Sequence, residues 1–199
     1  MCMVICSCGE ASLQYSSMSV TFKDAITTAN QLLGCELVHQ SPEGNAGGII
    51  VETEAYTVDD AASHAFKGKT KRNAAMFLSG GHTYVYFTYG MHHCFNIVTG
   101  PDGEGQAVLI RALEPTVGLE LMKQRRGRSD VHTLTNGPAK LVQALGITKE
   151  HSGKSLAQTG ITLRQVLKPG AIISSPRRGI SKAVDQPLRF YIANNHFVS

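Results

Sequence analysis

The block GGHTYVYFTYGMHHCFNIVTGPDGEG (80–105) most narrows what this chain can become. A glycine pair opens it, β-formers run from Thr83 to Tyr89, Gly90 interrupts them, and a second apolar run reaches Val98. Aromatic and β-branched residues fit a pleated, half-buried surface, and a glycine inside such a run marks a bend. The spacing predicts a hairpin, or two strands bent at Gly90 and Met91, then the turn GPDGEG and a further strand over 107–112.

Around that block the periodicity changes. In TFKDAITTANQLLG, Thr21 can cap a helix whose stripe is Ala25, Ala29 and Leu32 or Leu33, and Gly34 ends it, so the pattern predicts a helix over 22–33. Strands follow over 35–39 and 48–54, joined by the turn residues SPEGN. Residues 57–75 are polar and basic and read as a loop with room for one short helix. GLELMKQRRG and GPAKLVQALGI are helical, the second with proline near its start, and ITLR, AIISS and LRFYI are short strands. Helices and strands mix without regular βαβ units. The expectation is an α+β fold: one compact domain over 19–199, with a mostly antiparallel curved sheet and surrounding helices, behind a flexible lead-in over 1–18.

A chain of 199 residues buries enough surface to need neither disulfides nor a structural metal. Of five cysteines, Cys35 and Cys94 sit among apolar residues and read as small buried hydrophobes; Cys2, Cys6 and Cys8 lack the spacing of a zinc pair. The start has no basic, apolar signal pattern, and no apolar run is long enough to cross a membrane, so the expected setting is soluble and reducing. A net charge of +4 permits a polyanionic partner without requiring one.

The residues capable of chemistry gather in a few places. In GGIIVETEAY (47–56), strand period two puts Glu52, Glu54 and Tyr56 on one face and Val51, Thr53 and Ala55 on the other. This pattern fits a carboxylate pair for acid/base hydrolysis, and equally an exposed strand face with a surface tyrosine. Tyr84 and Tyr86 alternate to one face, Phe87 and Tyr89 to the other; cross-strand packing accounts for Tyr84 and Phe87, whereas Tyr89 precedes Gly90 at a tip. The basic runs holding Lys67, Lys69, Lys71 and Arg72, and Lys123, Arg125, Arg126 and Arg128, read as solvated faces or as phosphate contacts. His64, His92 and His93 lack metal-ligand spacing, so no metal is expected.

Several irregular motifs in one order, VETEAY, ASHAFKG, YVYFTYGM, CFNIV, VLIRALEP and GPAKL, followed later by PLRFYI, resemble the alkyladenine (3-methyladenine) DNA glycosylase family. The matches span roughly residues 30 to 145 and a short stretch near the end. The resemblance implies a monofunctional enzyme without a cofactor that starts base excision repair on alkylated or deaminated purines in duplex DNA. It also implies a fold similar to the formyltransferase C-terminal domain. By resemblance, Glu54 is the general base acting on the water that attacks the deoxyribose C1′, with Arg111 near that water. Tyr56, His64, Tyr86 and Asn96 would hold the flipped base, and Tyr89 with Met91 would fill the gap in the duplex. Lys69, Arg72, Arg125 and Arg126 are the candidate backbone contacts. Glu52 receives no role from the resemblance, and His92 stands where an aromatic commonly follows YGM.

These roles suit the chemistry. A base inside a duplex must leave the stack before its glycosidic bond can be hydrolysed, and an aromatic slot can hold it. One carboxylate is enough, because the transition state resembles an oxocarbenium ion. No lysine near Glu54 in sequence is placed as a nucleophile. The expected partner is damaged double-stranded DNA, the expected state a monomer, and the expected location the bacterial cytoplasm and nucleoid or the eukaryotic nucleus. The alternative is a DNA-binding protein without catalysis.

Overall fold

The computed structural model describes residues 20–88 and 92–199. The expected lead-in over 1–18 lies outside the described residues, as do Tyr89, Gly90 and Met91. In chain order, helix α1 (Ala25–Leu32) leads to strands β1 (Cys35–Ser41) and β2 (Gly44–Tyr56), then β3 (Thr83–Thr88), β4 (His92–Val98) and β5 (Ala107–Val117). Helices α2 (Leu119–Arg126) and α3 (Pro138–Leu145) follow, then β6 (Ile161–Gln165), β7 (Ile172–Ser175) and β8 (Arg189–Ile192).

Helix α1 starts three residues later than the periodicity predicts. Asp24, not Thr21, is the cap, with its Oδ1 accepting from Thr27 N at 2.8 Å. A carboxylate caps as well as a hydroxyl does. Phe22 stays out of the helix because its carbonyl accepts from Gly100 N, tying the chain to the β4–β5 turn. At the other end Gly34 takes φ +80°, a conformation strained for any residue with a Cβ, and turns the chain into β1.

The eight strands form one antiparallel sheet, ordered β3-β4-β5-β2-β1-β6, with β8 and then β7 branching from β2. Strand β2 is the axis. Along one edge it pairs with β5 from Gly47 to Tyr56; its first half pairs with β1 and its second half, at Glu52, Thr53 and Glu54, with β8. The fork falls where the register with β5 slips twice. Val51 is skipped between Ile50↔Leu113 and Glu52↔Ala112, and Arg111 is skipped between Glu52↔Ala112 and Thr53↔Ile110. Each extra residue bends the sheet and re-aims side chains, as bulges do beside functional sites.

On one side of β2, Thr53 Oγ1 donates to the Ala29 carbonyl of α1 at 3.0 Å, and α1 packs there over a core that includes Leu32, Ile50, Phe95, Ile110 and Leu113. Helices α2 and α3 pack on each other and on β2, β4 and β5. Residues 57–73 form turns, and the one short 3-10 helix of this region, Ala74–Phe77, falls at its end. The α+β class and the antiparallel sheet agree with the expectation; β2 and β5 are longer than it.

Candidate active site

The two glutamates of VETEAY are both fully buried, so the reading of an exposed strand face is corrected. Buried carboxylates need partners, and the fold brings them from three distant segments. Arg111, the extra residue of β5, forks between them: Nε donates to Glu52 Oε1 at 3.1 Å and Nη1 to Glu54 Oε1 at 3.0 Å. Its Nη2 donates to Ser199 Oγ at 3.2 Å.

Beyond that shared arginine the glutamates differ. Glu52 faces the protein: Arg189 Nε of β8 donates to its Oε1 and Ser199 N to its Oε2, the latter at 2.7 Å. Glu54 faces a cavity of about 880 Å³. Its Oε1 also accepts from Arg178 N at 2.9 Å, and its Oε2 from the Tyr56 hydroxyl at 2.8 Å. Two carboxylate oxygens offer about four acceptor directions, and these three donors leave one for a water or substrate group.

The cavity wall is aromatic. His64 and Tyr86 meet edge to face with centroids 4.5 Å apart, and Tyr84 stacks on Tyr86 at 5.4 Å. His64 Nδ1 shares a hydrogen bond of 2.9 Å with the Tyr84 hydroxyl, which fixes the imidazole from a fully covered ring. Asn96 Nδ2 donates to the Tyr84 carbonyl at 3.0 Å, so its side chain is set by the β3–β4 pairing. Burial pushes the Tyr84 phenol up to about 12. Burial, and next the Glu54 carboxylate, push Tyr56 up strongly; burial followed by Cys94 does so for Tyr86. Burial, with Arg72 second, lowers His64. The tyrosines and the histidine of the wall are thus uncharged at neutral pH.

The six residues Glu54, Tyr56, His64, Tyr86, Asn96 and Arg111 therefore converge on one cavity. Cys94, read as a buried hydrophobe, is buried and also lines it. Arg72 stands exposed at the mouth, and Lys69 lies exposed in the same loop. The other basic run sits elsewhere. Arg125 Nε and Nη2 bind Glu43 Oε2 at 2.9 and 2.7 Å, Nη2 reaches Ser41 Oγ, and Nη1 donates to the Ala144 carbonyl. In this structure it braces α2, the β1–β2 turn and α3. Arg126 Nη1 donates to Gln143 Oε1 of α3. The expected intercalating pair, Tyr89 and Met91, lies outside the described residues.

Sequence reasoning missed Arg177, Arg178, Arg189 and Ser199. An arginine inside the apolar run LRFYI was a visible signal of a buried charge; nothing in SPRRG marked its backbone as a carboxylate partner. It also missed that Lys67 and Lys182 reach the cavity wall, although neither is near Glu54 in sequence. Among the described residues, no cluster of three or more His, Cys, Asp or Glu is set to hold a metal ion, and no helix is long and apolar enough to cross a membrane.

A buried carboxylate clamped by arginine at the base of an aromatic slot suits hydrolytic chemistry on a flat, ring-bearing substrate. The comparisons name that class more closely. The model of the methylpurine-DNA glycosylase family matches residues 19–196. A protein of Methanoculleus marisnigri is 50% identical over 182 residues, covering 89% of this chain and 94% of its own length. One of Nitrosospira multiformis is 45% identical over 193 residues, 97% of this chain and 95% of its own. A third, of Carboxydothermus hydrogenoformans, is 47% identical over 182 residues, with 89% and 94% covered. All three carry the provisional name of 3-methyladenine DNA glycosylase. The chain belongs to the methylpurine-DNA glycosylase family, DNA-binding hydrolases of base excision repair.

Proposed function

We propose that this protein is a monofunctional glycosylase that draws an alkylated or deaminated purine out of duplex DNA and hydrolyses its N-glycosidic bond. The observation carrying the reading is Glu54: fully buried, held by Arg111, Arg178 N and the Tyr56 hydroxyl, with one acceptor direction left toward an aromatic cavity. A purine stacked on Tyr56, with His64 and Tyr86 enclosing it, would set its C1′ against that carboxylate. Water adds to C1′, Glu54 takes the water's proton, and both electrons of the C1′–N9 bond leave with the purine. The anionic carboxylate favours the oxocarbenium-like sugar as that bond opens.

Purines methylated at N3 or N7, such as 3-methyladenine and 7-methylguanine, carry a positive charge and leave as neutral bases. Hypoxanthine and ethenoadenine are neutral and depend more on the fit of the slot and on protonation. Asn96, fixed by the Tyr84 carbonyl, is the group suited to disfavour the exocyclic amine of normal guanine. Tyr89 and Met91 would fill the vacated stack, and Lys69 and Arg72 are suited to the DNA backbone. The protein acts as a monomer, since one cavity serves one lesion.

Release of free base from duplexes carrying each lesion tests the reading, with the abasic strand remaining intact. Borohydride trapping of a protein–DNA adduct, through Lys67 or Lys182 for example, would overturn the monofunctional assignment.

A further inference from the structure

Tyr56 turns one face to the cavity, and its other face is covered by a charge. The guanidinium carbon of Arg177 lies 4.6 Å from the ring centroid, within the range of a cation–π contact. The Arg177 side chain is wholly buried and forms no part of the cavity wall, so it backs the face turned away from a stacked base. Asp60, equally buried, accepts Nη2–H at 2.9 Å and Nη1–H; Nη1 also donates to the Ala55 carbonyl at 3.0 Å. Nε has no hydrogen-bond partner among the described residues. Neither member of the pair is hydrogen-bonded to Glu54 or Arg111, and the hydrolysis described above uses neither.

A buried ion pair adds little net stability, but one laid against the stacking ring sets the potential there. The cation touches the ring, and the carboxylate is set back behind the guanidinium's hydrogen bonds. With a stacking distance of about 3.5 Å, a purine on the open face would sit roughly 8 Å from the guanidinium. When the C1′–N9 bond breaks, its electron pair passes to the purine. A cationic base then leaves neutral, and a neutral base takes on negative charge until it is protonated. In both cases the base becomes more negative by one unit as it departs.

We propose that the Arg177–Asp60 pair is an electrostatic specificity device behind Tyr56. Its positive end weakens the hold on cationic purines relative to neutral ones, and it favours the flow of electrons into any departing base. This inference rests on the glycosylase reading of the cavity.

Single-turnover base release at varied enzyme concentration tests it, because the half-saturating concentration and the maximal rate separate. The substrates are duplexes carrying 7-methylguanine, which is cationic, and hypoxanthine, which is neutral. Asp60→Asn leaves the guanidinium uncompensated and raises the half-saturating concentration for 7-methylguanine relative to hypoxanthine by about fivefold or more. Arg177→Met moves that ratio the other way and slows the maximal rate on both substrates; Arg177→Lys restores the wild-type ratio. Should Arg177→Met fail to fold, Asp60→Asn decides alone. An unmoved ratio in Asp60→Asn, or a shift of the same sign in the Asn and Met variants, reduces the pair to a structural brace. A wild-type protein that releases neither base removes the glycosylase reading and this inference together, whereas release of both with an unmoved ratio removes the inference only.

Discussion

Glu52 is the test of how the buried charges divide between holding the fold and doing chemistry. It is fully buried and accepts from Arg111, Arg189 and Ser199 N, joining β5, β8 and the segment after β8 to β2. Glu52→Gln keeps the shape and one acceptor oxygen but sets an NH₂ group among three donors and leaves two buried guanidinium groups undercompensated. Breaking a buried pair costs about 3–5 kcal/mol; the retained oxygen puts this variant near the lower figure. For a domain of this size each kcal/mol lowers Tm by about 2–4 °C, so the expected fall is about 6–12 °C. Calorimetry gives that number, and single-turnover base release below the transition gives the other half. The rate drops by about tenfold as Arg111 loses one of its anchors, far less than on loss of Glu54. A Tm within about 2 °C of wild type would show that Glu52 does not anchor the arginines. A rate loss equal to that of Glu54→Gln would make the two glutamates catalytic partners.

Three further outcomes follow from other parts of the molecule. The Leu145 carbonyl can only accept, so His39 Nδ1 donates to it at 2.7 Å; His39 Nε2 then accepts from His151 Nε2 at 3.2 Å, and His151 Nδ1 from Thr148 N at 3.0 Å. Burial lowers the His151 pKa, so the neutral ring is the folded form; its contribution is complete above the ordinary histidine value and fades as pH falls toward the depressed one. Tm therefore declines as pH falls below the ordinary histidine value of about 6.5, and His151→Gln flattens that decline, while parallel curves would contradict it. Arg72→Ala lowers the slope of log affinity for duplex DNA against log salt by about one, whereas Arg125→Ala leaves the slope unchanged and lowers Tm, since its guanidinium is spent on Glu43, Ser41 and Ala144. Asn96→Ala raises release of undamaged guanine from duplex DNA, and a rate no higher than wild type would remove Asn96 from discrimination.

Much of the sheet was visible in local pattern. Strands β3 and β4 stand where the alternation on either side of Gly90 places them, and Glu52 and Glu54 do share a face opposite Thr53. What the pattern did not carry was long-range. Nothing local says that β2 forks between β1 and β8, or that Val51 and Arg111 are extra residues in a slipped register. Those slips bury Glu52 and Glu54 and turn Arg111 between them. The six residues of the cavity were named from family motifs, and the fold brings them together. Arg177, Arg178, Arg189 and Ser199 escaped because they act across more than a hundred residues of chain, partly through backbone N–H groups that any residue possesses. Arg125 shows a different limit: a basic run on a helix looks alike in sequence whether it faces a phosphate or, as here, a neighbouring acid.

The most direct measurement compares Glu54→Gln with wild type on a duplex carrying a single hypoxanthine. Binding is followed by fluorescence anisotropy and base release by single-turnover kinetics on the same samples. Affinity stays within a few-fold of wild type, because the aromatic walls and the basic mouth are untouched. Release slows by about 10³-fold, because Glu54 is the only carboxylate among the described residues lining the cavity. Release at a wild-type rate, or loss of binding in step with release, would contradict the assignment of Glu54 as the catalytic carboxylate.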